Sequence, residues 1–208
     1  TGSTVGEAGG GVEESTVRTG ARTAVGAGVA VVIGPAMHGP MYDHPGVLDA
    51  IDRVASWGVD FVDPRIEEGK AKIATEDAIV TATARATGDD VLAGTHVVVT
   101  AGATAEAVDP VRILTNRASG KTGRAVARAC HVRGADVTLV HDGGDVHYAY
   151  TVSVESAAEV CDAVLAEVGG GGDAADAADA LVAAGAHQEY TGRGGAGKLR
   201  SGAARPID

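Results

Sequence analysis

Short apolar runs alternate with helix-like segments along most of this chain, and this alternation limits the possible folds more than any other feature. Five runs predict strands, at residues 29–33, 59–62, 96–100, 136–140 and 180–184. Segments with helical spacing lie between them, at residues 47–57, 75–86, 119–133 and 153–168. Strands that alternate with helices usually pair in parallel. We therefore predict an α/β fold of two consecutive three-layer units with mostly parallel sheets.

Turn-forming residues separate the two predicted units. The sequence Thr87-Gly88-Asp89-Asp90 is typical of a turn, and it predicts one domain at residues 1–88 and a second at residues 92–208. No element is predicted in the first 20 residues or from Gly185 onward, where glycine is frequent, and residues 169–172 predict a flexible break.

The charge balance excludes several classes of function. The 208 residues carry 17 Lys and Arg against 28 Asp and Glu, a formal net charge of −11. Non-specific nucleic-acid binding depends on basic patches, so nucleic acid is not a predicted partner. No apolar run reaches the roughly 18 residues of a membrane helix, and no signal peptide is recognisable, so we predict a cytoplasmic protein without a membrane partner. The acidic, lysine-poor composition is typical of a high-salt cytoplasm, as in halophiles.

A long connection in the second unit is the first candidate for a binding site. Eighteen residues, 101–118, separate a predicted strand from the next helix, whereas such loops usually have about 2–6 residues. Open α/β sheets bind ligands at the carboxyl ends of their strands. From Pro110 to Arg133 there are six Lys or Arg and no Asp or Glu. Together with the amino end of a helix, which attracts anions, this stretch predicts a phosphate-binding site.

Neither common phosphate-binding motif fits that stretch. Gly120-Lys121-Thr122 resembles the end of a P-loop, but Thr115 stands where that motif requires its first glycine. The segment from Ala101 to Glu106 lacks the glycine spacing of a dinucleotide fingerprint. A nicotinamide-dependent oxidoreductase is therefore a weak alternative. Cys130 and Cys161 have no metal-ligand spacing, and no protein-bound metal site is predicted.

Three motifs in one order resemble phosphopantothenate–cysteine ligase. They are VTAGATAE at residues 99–106, VDPVR at residues 108–112 and TNRASGKTG at residues 115–123. Upstream, PAMH at residues 35–38 is similar to phosphopantothenoylcysteine decarboxylase, and EEGKAKIA at residues 67–74 matches archaeal versions. The two enzymes are fused in this order in many prokaryotes. The resemblance implies a flavodoxin-like part followed by a Rossmann-like part, in a stretch cut at both ends.

In the ligase part, the resemblance implies that CTP activates the carboxylate of 4'-phosphopantothenate. The acyl-cytidylate then reacts with cysteine, and Mg²⁺ accompanies the CTP. Asn116 corresponds to the residue that stabilises the acyl intermediate, although it could simply begin the helix. Arg112 corresponds to a substrate-binding residue. The implied nucleotide-binding residues are Gly102, Ser119, Gly120, Lys121, Glu189 and Lys198, of which Lys198 could equally be a surface lysine.

In the decarboxylase part, the resemblance implies FMN-dependent decarboxylation of 4'-phosphopantothenoylcysteine. His38 corresponds to a substrate contact, although a structural role is equally open. The implied FMN-binding residues are Thr1, Ser3, Pro35, Ala36 and Met37. The family also implies a homo-oligomer. The main alternative is a non-catalytic fragment that retains a nucleotide-binding α/β module.

Overall fold

The computed structural model describes residues 16–169 and 177–187. It divides the chain into two compact units, Thr1–Asp89 and Asp90–Asp208. In the described part of the chain, no helix is long and apolar enough to cross a membrane.

The first unit is built around two parallel strands joined by a helix. Its elements are α1 (Thr16–Gly26), β1 (Val31–Ile33), β2 (Met37–His38), α2 (Gly39–Tyr42), α3 (Pro45–Ala55), β3 (Val59–Phe61), β4 (Arg65–Glu67), β5 (Lys70–Lys72) and α4 (Glu76–Ala86). Strands β1 and β3 pair in parallel, with Val31 opposite Val59. Helix α3 connects them, which makes the βαβ arrangement that the alternation predicts. Helix α1, however, forms where the sequence predicted no element.

Side-chain caps fix where the helices of the first unit begin. The Thr75 side chain accepts a hydrogen bond from the Ala78 N–H, and Glu76 and Asp77 lie in the positive first turn of α4. The helix therefore begins where the predicted helical segment 75–86 begins. His44 caps α3 through its ring Nδ1, which accepts from the Gly46 N–H at 3.1 Å.

A small antiparallel sheet in the first unit was not predicted. Its strand order is β2-β5-β4. Glu67 holds the β4–β5 hairpin, because its carboxylate accepts hydrogen bonds from Lys72 at 2.9 Å and from Arg65 at 2.5 Å. These bonds lower the pKa of Glu67, with the Lys72 hydrogen bond as the largest cause.

The second unit contains a four-stranded parallel sheet. Its elements are β6 (His96–Ala101), β7 (Ala105–Ala107), β8 (Ile113–Thr115), α5 (Lys121–Val132), β9 (Asp136–His141), β10 (Tyr150–Ser153), α6 (Ala157–Val168) and β11 (Ala180–Ala183). The spatial order is β10-β9-β6-β11, and every neighbouring pair is parallel. In chain order this is 3-2-1-4, the beginning of the Rossmann strand order. The predicted α/β class with mostly parallel strands is therefore confirmed.

Helices cover the two faces of this sheet and complete three layers. On one face, Val97 and Val99 pack with Ala127 of α5, and on the other face Val98 packs with Val160 of α6. Alternate residues of β6 point to opposite faces, so its apolar run is buried on both sides. This is why 96–100 could be recognised as a strand.

Several predicted boundaries differ from the structure. The predicted helix 119–133 begins at Lys121, and the predicted helix 153–168 begins at Ala157 after a strand, β10, that was not predicted. Ser156 caps α6 in a capping box with Glu159. Residues 170–172 of the predicted break lie outside the described residues, as does everything after residue 187.

Candidate functional site

The candidate site of the second unit lies at the carboxyl edge of the parallel sheet. Strand β6 ends at Ala101, in register with His141 at the end of neighbouring β9. On the other side, Ala183 ends β11 in register with Thr100. Carboxyl ends of parallel strands share one edge, and ligands of open α/β sheets bind there.

The predicted long loop contains a hairpin. Strands β7 and β8 pair antiparallel, with Ala105 opposite Thr115. At its tip, the buried Asp109 carboxylate accepts from the Val111 and Arg112 amides, both at 2.8 Å, and from the Arg112 guanidinium at 2.9 Å. Arg112 is therefore ion-paired with Asp109, which lies one residue before the stretch from Pro110 to Arg133, and the predicted positive island is smaller than the sequence indicated.

Asn116 connects two segments that are distant in the sequence. Its Nδ2 donates to the Ala186 carbonyl at 2.7 Å, and its Oδ1 accepts from the Ala118 N–H at 2.9 Å. The Ala186 N–H in turn donates to the Gly102 carbonyl at 2.8 Å. The Asn116 amide is thereby held at the edge of the sheet, beside the end of β6 and the segment after β11.

Two glycines allow the segments at this edge to approach closely. Gly102 and Gly120 have φ of +88° and +66°, in the region that favours glycine. A Cβ on Gly120 would lie 3.0 Å from the Gly102 nitrogen, and a Cβ on Gly102 would clash with the Asp142 carboxylate. These two predicted site residues therefore lie together, with Asp142 beside them.

The start of α5 lies at the same edge. Gly120 is its N-cap, and no side chain caps the helix, so its first-turn N–H groups point outward in the manner that suits anions. Ser119 and Lys121 are exposed there. Arg124 donates to the Ser119 carbonyl at 2.5 Å. A Cβ on Gly123 would lie 2.8 Å from the Thr100 carbonyl oxygen, so the helix start sits directly against the end of β6.

His141 is a residue of this edge that sequence reasoning missed. It is 2% exposed, and neither ring nitrogen has a hydrogen-bond partner of good geometry in the described part of the chain. Burial is the largest cause that lowers its pKa, and Arg124 lowers it further. Asp142, the Gly144 backbone and Asp145 act in the opposite direction. Only its position at a strand end could have indicated it.

A polar cavity of about 440 Å³ adjoins the site on the side of β10. Its lining includes Thr115 next to Asn116, and the carboxylates of Asp142, Glu155 and Glu159. Glu159 accepts from the Glu155 and Ser156 amides, which lower its pKa. Within residues 16–169 and 177–187, no three His, Cys, Asp or Glu side chains lie close enough together to hold a metal ion.

The candidate site residues of the first unit follow β1. Pro35 is buried, Ala36 and Met37 are half-buried, and His38 is exposed at the end of β2. They follow the carboxyl end of the parallel strand β1. Thr1, Ser3, Glu189 and Lys198 lie outside the described residues.

The second unit thus has the features of a Rossmann-like, ligand-binding α/β domain, with an uncapped helix start and a buried histidine at its carboxyl edge. Residues 92–199 match the family described as "DNA/pantothenate metabolism flavoprotein C-terminal domain", and residues 1–88 match "Flavoprotein". The chain belongs to the DNA/pantothenate metabolism flavoprotein family and is of the CoaBC type. The resemblance noted in the sequence is therefore confirmed.

Curated relatives agree with this assignment. The chain is 41% identical over 162 residues to the coenzyme A biosynthesis bifunctional protein CoaBC of Thermococcus kodakarensis, covering 77% of this chain and 40% of that protein. It is 32% identical over 204 residues to the Bacillus subtilis CoaBC, covering 92% of this chain and 48% of that protein. A crystal structure of the C-terminal domain of a CoaBC is 34% identical, with a TM-score of 0.40 and 46% of each chain covered. The chain spans less than half the length of these curated relatives.

Proposed function

We propose that this chain acts in coenzyme A biosynthesis and that its second unit takes part in the CTP-dependent ligation of 4'-phosphopantothenate with cysteine. The reaction passes through an acyl-cytidylate and releases pyrophosphate, and Mg²⁺ accompanies the CTP. The observation that supports this most directly is the meeting of Asn116, Gly102 and the start of α5 at one sheet edge. The family assignment supports the substrate class.

The α5 start is the proposed binding place of the CTP phosphates. Backbone N–H groups and the helix dipole favour a negative charge there by about 0.3–1 kcal/mol, or up to ~2 kcal/mol when partly buried. Lys121 and Arg124 add positive charge in a chain whose net charge is −11. Ser119 is exposed beside these cations. Gly120 and Gly102 pack closely against each other at the same place. Glu189 and Lys198 complete the proposed nucleotide site.

Asn116 is proposed to stabilise the acyl group. A carboxamide has two N–H donors, and the Ala186 carbonyl accepts from Nδ2 at 2.7 Å. That bond holds the amide in place, and the second N–H can donate to an acyl oxygen. Because the amide is neutral, it does not repel the substrate carboxylate. Arg112, whose guanidinium is ion-paired with Asp109, is proposed to bind the substrate through its positive charge.

The first unit is proposed to take part in FMN-dependent decarboxylation of 4'-phosphopantothenoylcysteine. The flavoprotein match supports FMN as its cofactor. Pro35, Ala36 and Met37 fit such a ligand by their position after a parallel strand, and Thr1 and Ser3 would contribute to binding its phosphate. Bound flavin would supply the electron transfer that makes loss of the carboxylate easy. His38 is exposed at the end of β2 and would contact the substrate. A homo-oligomer is part of this proposal.

The test of the ligase proposal is release of pyrophosphate from CTP by this chain. We expect release that depends on 4'-phosphopantothenate and is slower when ATP replaces CTP. Binding of CTP without any substrate-dependent pyrophosphate would contradict ligase activity and favour a non-catalytic nucleotide-binding module. Tighter binding of NAD(P) than of CTP would instead favour the oxidoreductase alternative.

Replacing Lys121 by alanine is expected to raise the Kd for CTP about tenfold, the equivalent of about 1.4 kcal/mol. Lys121 is the first residue of α5, and its replacement removes a positive charge next to the proposed phosphate-binding site. The matched control is Arg128→Ala, which removes a positive charge from the same helix two turns further on. We expect this control to change the Kd less than twofold by calorimetry. Equal losses in both variants would argue against phosphate binding at the helix start.

A further inference from the structure

Among residues 16–169 and 177–187, His141 is a buried titratable side chain at the sheet edge to which the proposed reaction assigns no role. It ends β9, in register with Ala101 of β6 and Ser153 of β10. Both ring nitrogens are buried and without hydrogen-bond partners of good geometry within the described residues. A buried polar group without a hydrogen bond destabilises the folded state by about 1–3 kcal/mol, so native structures usually provide a partner for it.

The ring lies directly beneath a glycine-containing turn. A Cβ on Gly143 would lie 2.6 Å from Cε1 and 2.8 Å from Nδ1 of His141, so the turn rests on the ring. The same turn carries Asp142, whose carboxylate meets Gly102 in the phosphate-binding part of the edge. The ring is therefore separated from the proposed ligand by a segment that only glycine at this position allows to pack so closely.

Charged groups reach His141 from one helix and one turn. Arg124 of α5 acts to keep the ring neutral, and Asp142 and Asp145 act to protonate it. The neighbouring strand ends contribute uncharged residues, Ala101 and Ser153. Because burial and Arg124 outweigh Asp142, Asp145 and the Gly144 backbone, the pKa of His141 is lowered and its ring is neutral at pH 7 in the ligand-free protein.

A polyphosphate at the start of α5 would reverse this balance. Its negative charges would lie against Arg124 and offset the positive charge that disfavours protonation of His141. The pKa of the ring would then be higher in the complex than in the free protein. By linkage, binding takes up a proton in the pH range between the two pKa values, and affinity for the polyphosphate rises as pH falls through that range.

We infer that His141 is a positioning residue of this edge, which takes a proton from solvent when a polyphosphate binds and then donates a ring N–H bond to the Gly144 backbone, holding the Asp142–Gly144 turn in place. No bond of the ligand is broken in this step, since the proton passes from buffer to the ring nitrogen. The inference rests on the proposed nucleotide site.

Calorimetry in two buffers of different ionisation enthalpy measures the proton uptake directly. The probes are CTP with Mg²⁺ and inorganic pyrophosphate, each titrated into the unmodified chain, His141→Gln and His96→Gln at pH 7. His96 is the matched control because it begins β6, about 16 Å away along the strand at about 3.3 Å per residue, and is a half-buried histidine of the same sheet. The ligand itself also gains or loses protons on binding, but this contribution is the same for every variant. It therefore cancels when the proton uptake of the variants is compared.

We expect the unmodified chain and His96→Gln to take up about half a proton more per bound ligand than His141→Gln. We also expect the His141 ring signal in proton NMR of the unmodified chain to titrate at higher pH with pyrophosphate than without it. This second measurement does not depend on the folding of any variant.

The outcomes separate the two proposals. Equal proton uptake by all three proteins, with CTP bound, would overturn the role of His141 and leave the nucleotide site standing. His141-dependent uptake with pyrophosphate, but no binding of CTP, would support His141 and contradict the choice of CTP. Failure of the unmodified chain to bind either probe would overturn both.

Discussion

Replacing Leu139 by alanine is expected to destabilise the second unit by about 3 kcal/mol, since truncation of buried leucines costs roughly 2–5 kcal/mol. Leu139 is fully buried in β9, opposite Val99 of β6, and belongs to the cluster that α5 covers. Close packing on both sides limits how far neighbours can move into the vacated space. The measurement is urea unfolding, monitored through hydrogen exchange of the β6 and β9 amides. These amides report on the second unit separately from the first.

The matched control for this prediction is Leu165→Ala. Leu165 lies on α6 and is 59% exposed, so its loss should cost no more than about 0.5 kcal/mol. A similar loss of protection in both variants would contradict the assignment of the core to the face between β9 and α5. A small loss of stability in Leu139→Ala would mean that neighbouring side chains move into the cavity left by the leucine.

The elements that could be predicted are those that bury apolar side chains along their whole length. Strand β6 buries Val97, Val98 and Val99 on its two faces, and β9 buries Leu139 and Val140. Such runs are visible in the sequence because nearly every residue must be apolar. The Thr75 cap could be predicted for a similar reason, because the helix-starting signal is contained in four consecutive residues.

The elements that could not be predicted depend on contacts between segments. Strands β4 and β5 contain Arg65, Glu67 and Lys72, and their charges pair only after the hairpin has formed. Strand β10 begins with Tyr150, which is 70% exposed, so it lacks the continuous apolar pattern of its neighbour β9. Short strands of this kind gain their stability from a partner strand rather than from their own composition.

The candidate site also has some features that could be predicted from the sequence and others that could not. The sequence indicates the edge of the sheet, the cations and Asn116, because motif and charge are local features. It does not indicate the Asn116–Ala186 bond, which joins residues 70 positions apart, or the pairing of Arg112 with Asp109, which weakens the predicted positive island. His141 was missed because neither its burial nor the turn that covers its ring can be read from neighbouring residues.

Replacing Asn116 by aspartate is expected to reduce phosphopantothenate-dependent release of pyrophosphate from CTP at least about 100-fold, the usual effect of removing a positioned donor in an active site. The aspartate keeps an oxygen that can accept from the Ala118 N–H, but it loses the Nδ2 donor that binds the Ala186 carbonyl. Its carboxylate would also face that carbonyl oxygen and an anionic substrate. Pyrophosphate release under single-turnover conditions is the measurement, with CTP affinity determined in parallel.

The control for the added negative charge is Arg128→Gln, which changes the net charge by the same amount on α5, away from the sheet edge. We expect this variant to retain turnover within about threefold, because Arg128 lies two turns along α5 from the sheet edge and charges about 10 Å apart are largely screened. If Asn116→Asp lost CTP affinity and turnover by the same factor, its amide would serve only to hold the segment after β11. A loss of turnover with CTP affinity kept would place the amide at the acyl group, because an interaction made with the reacting atoms changes the rate without changing binding of the nucleotide.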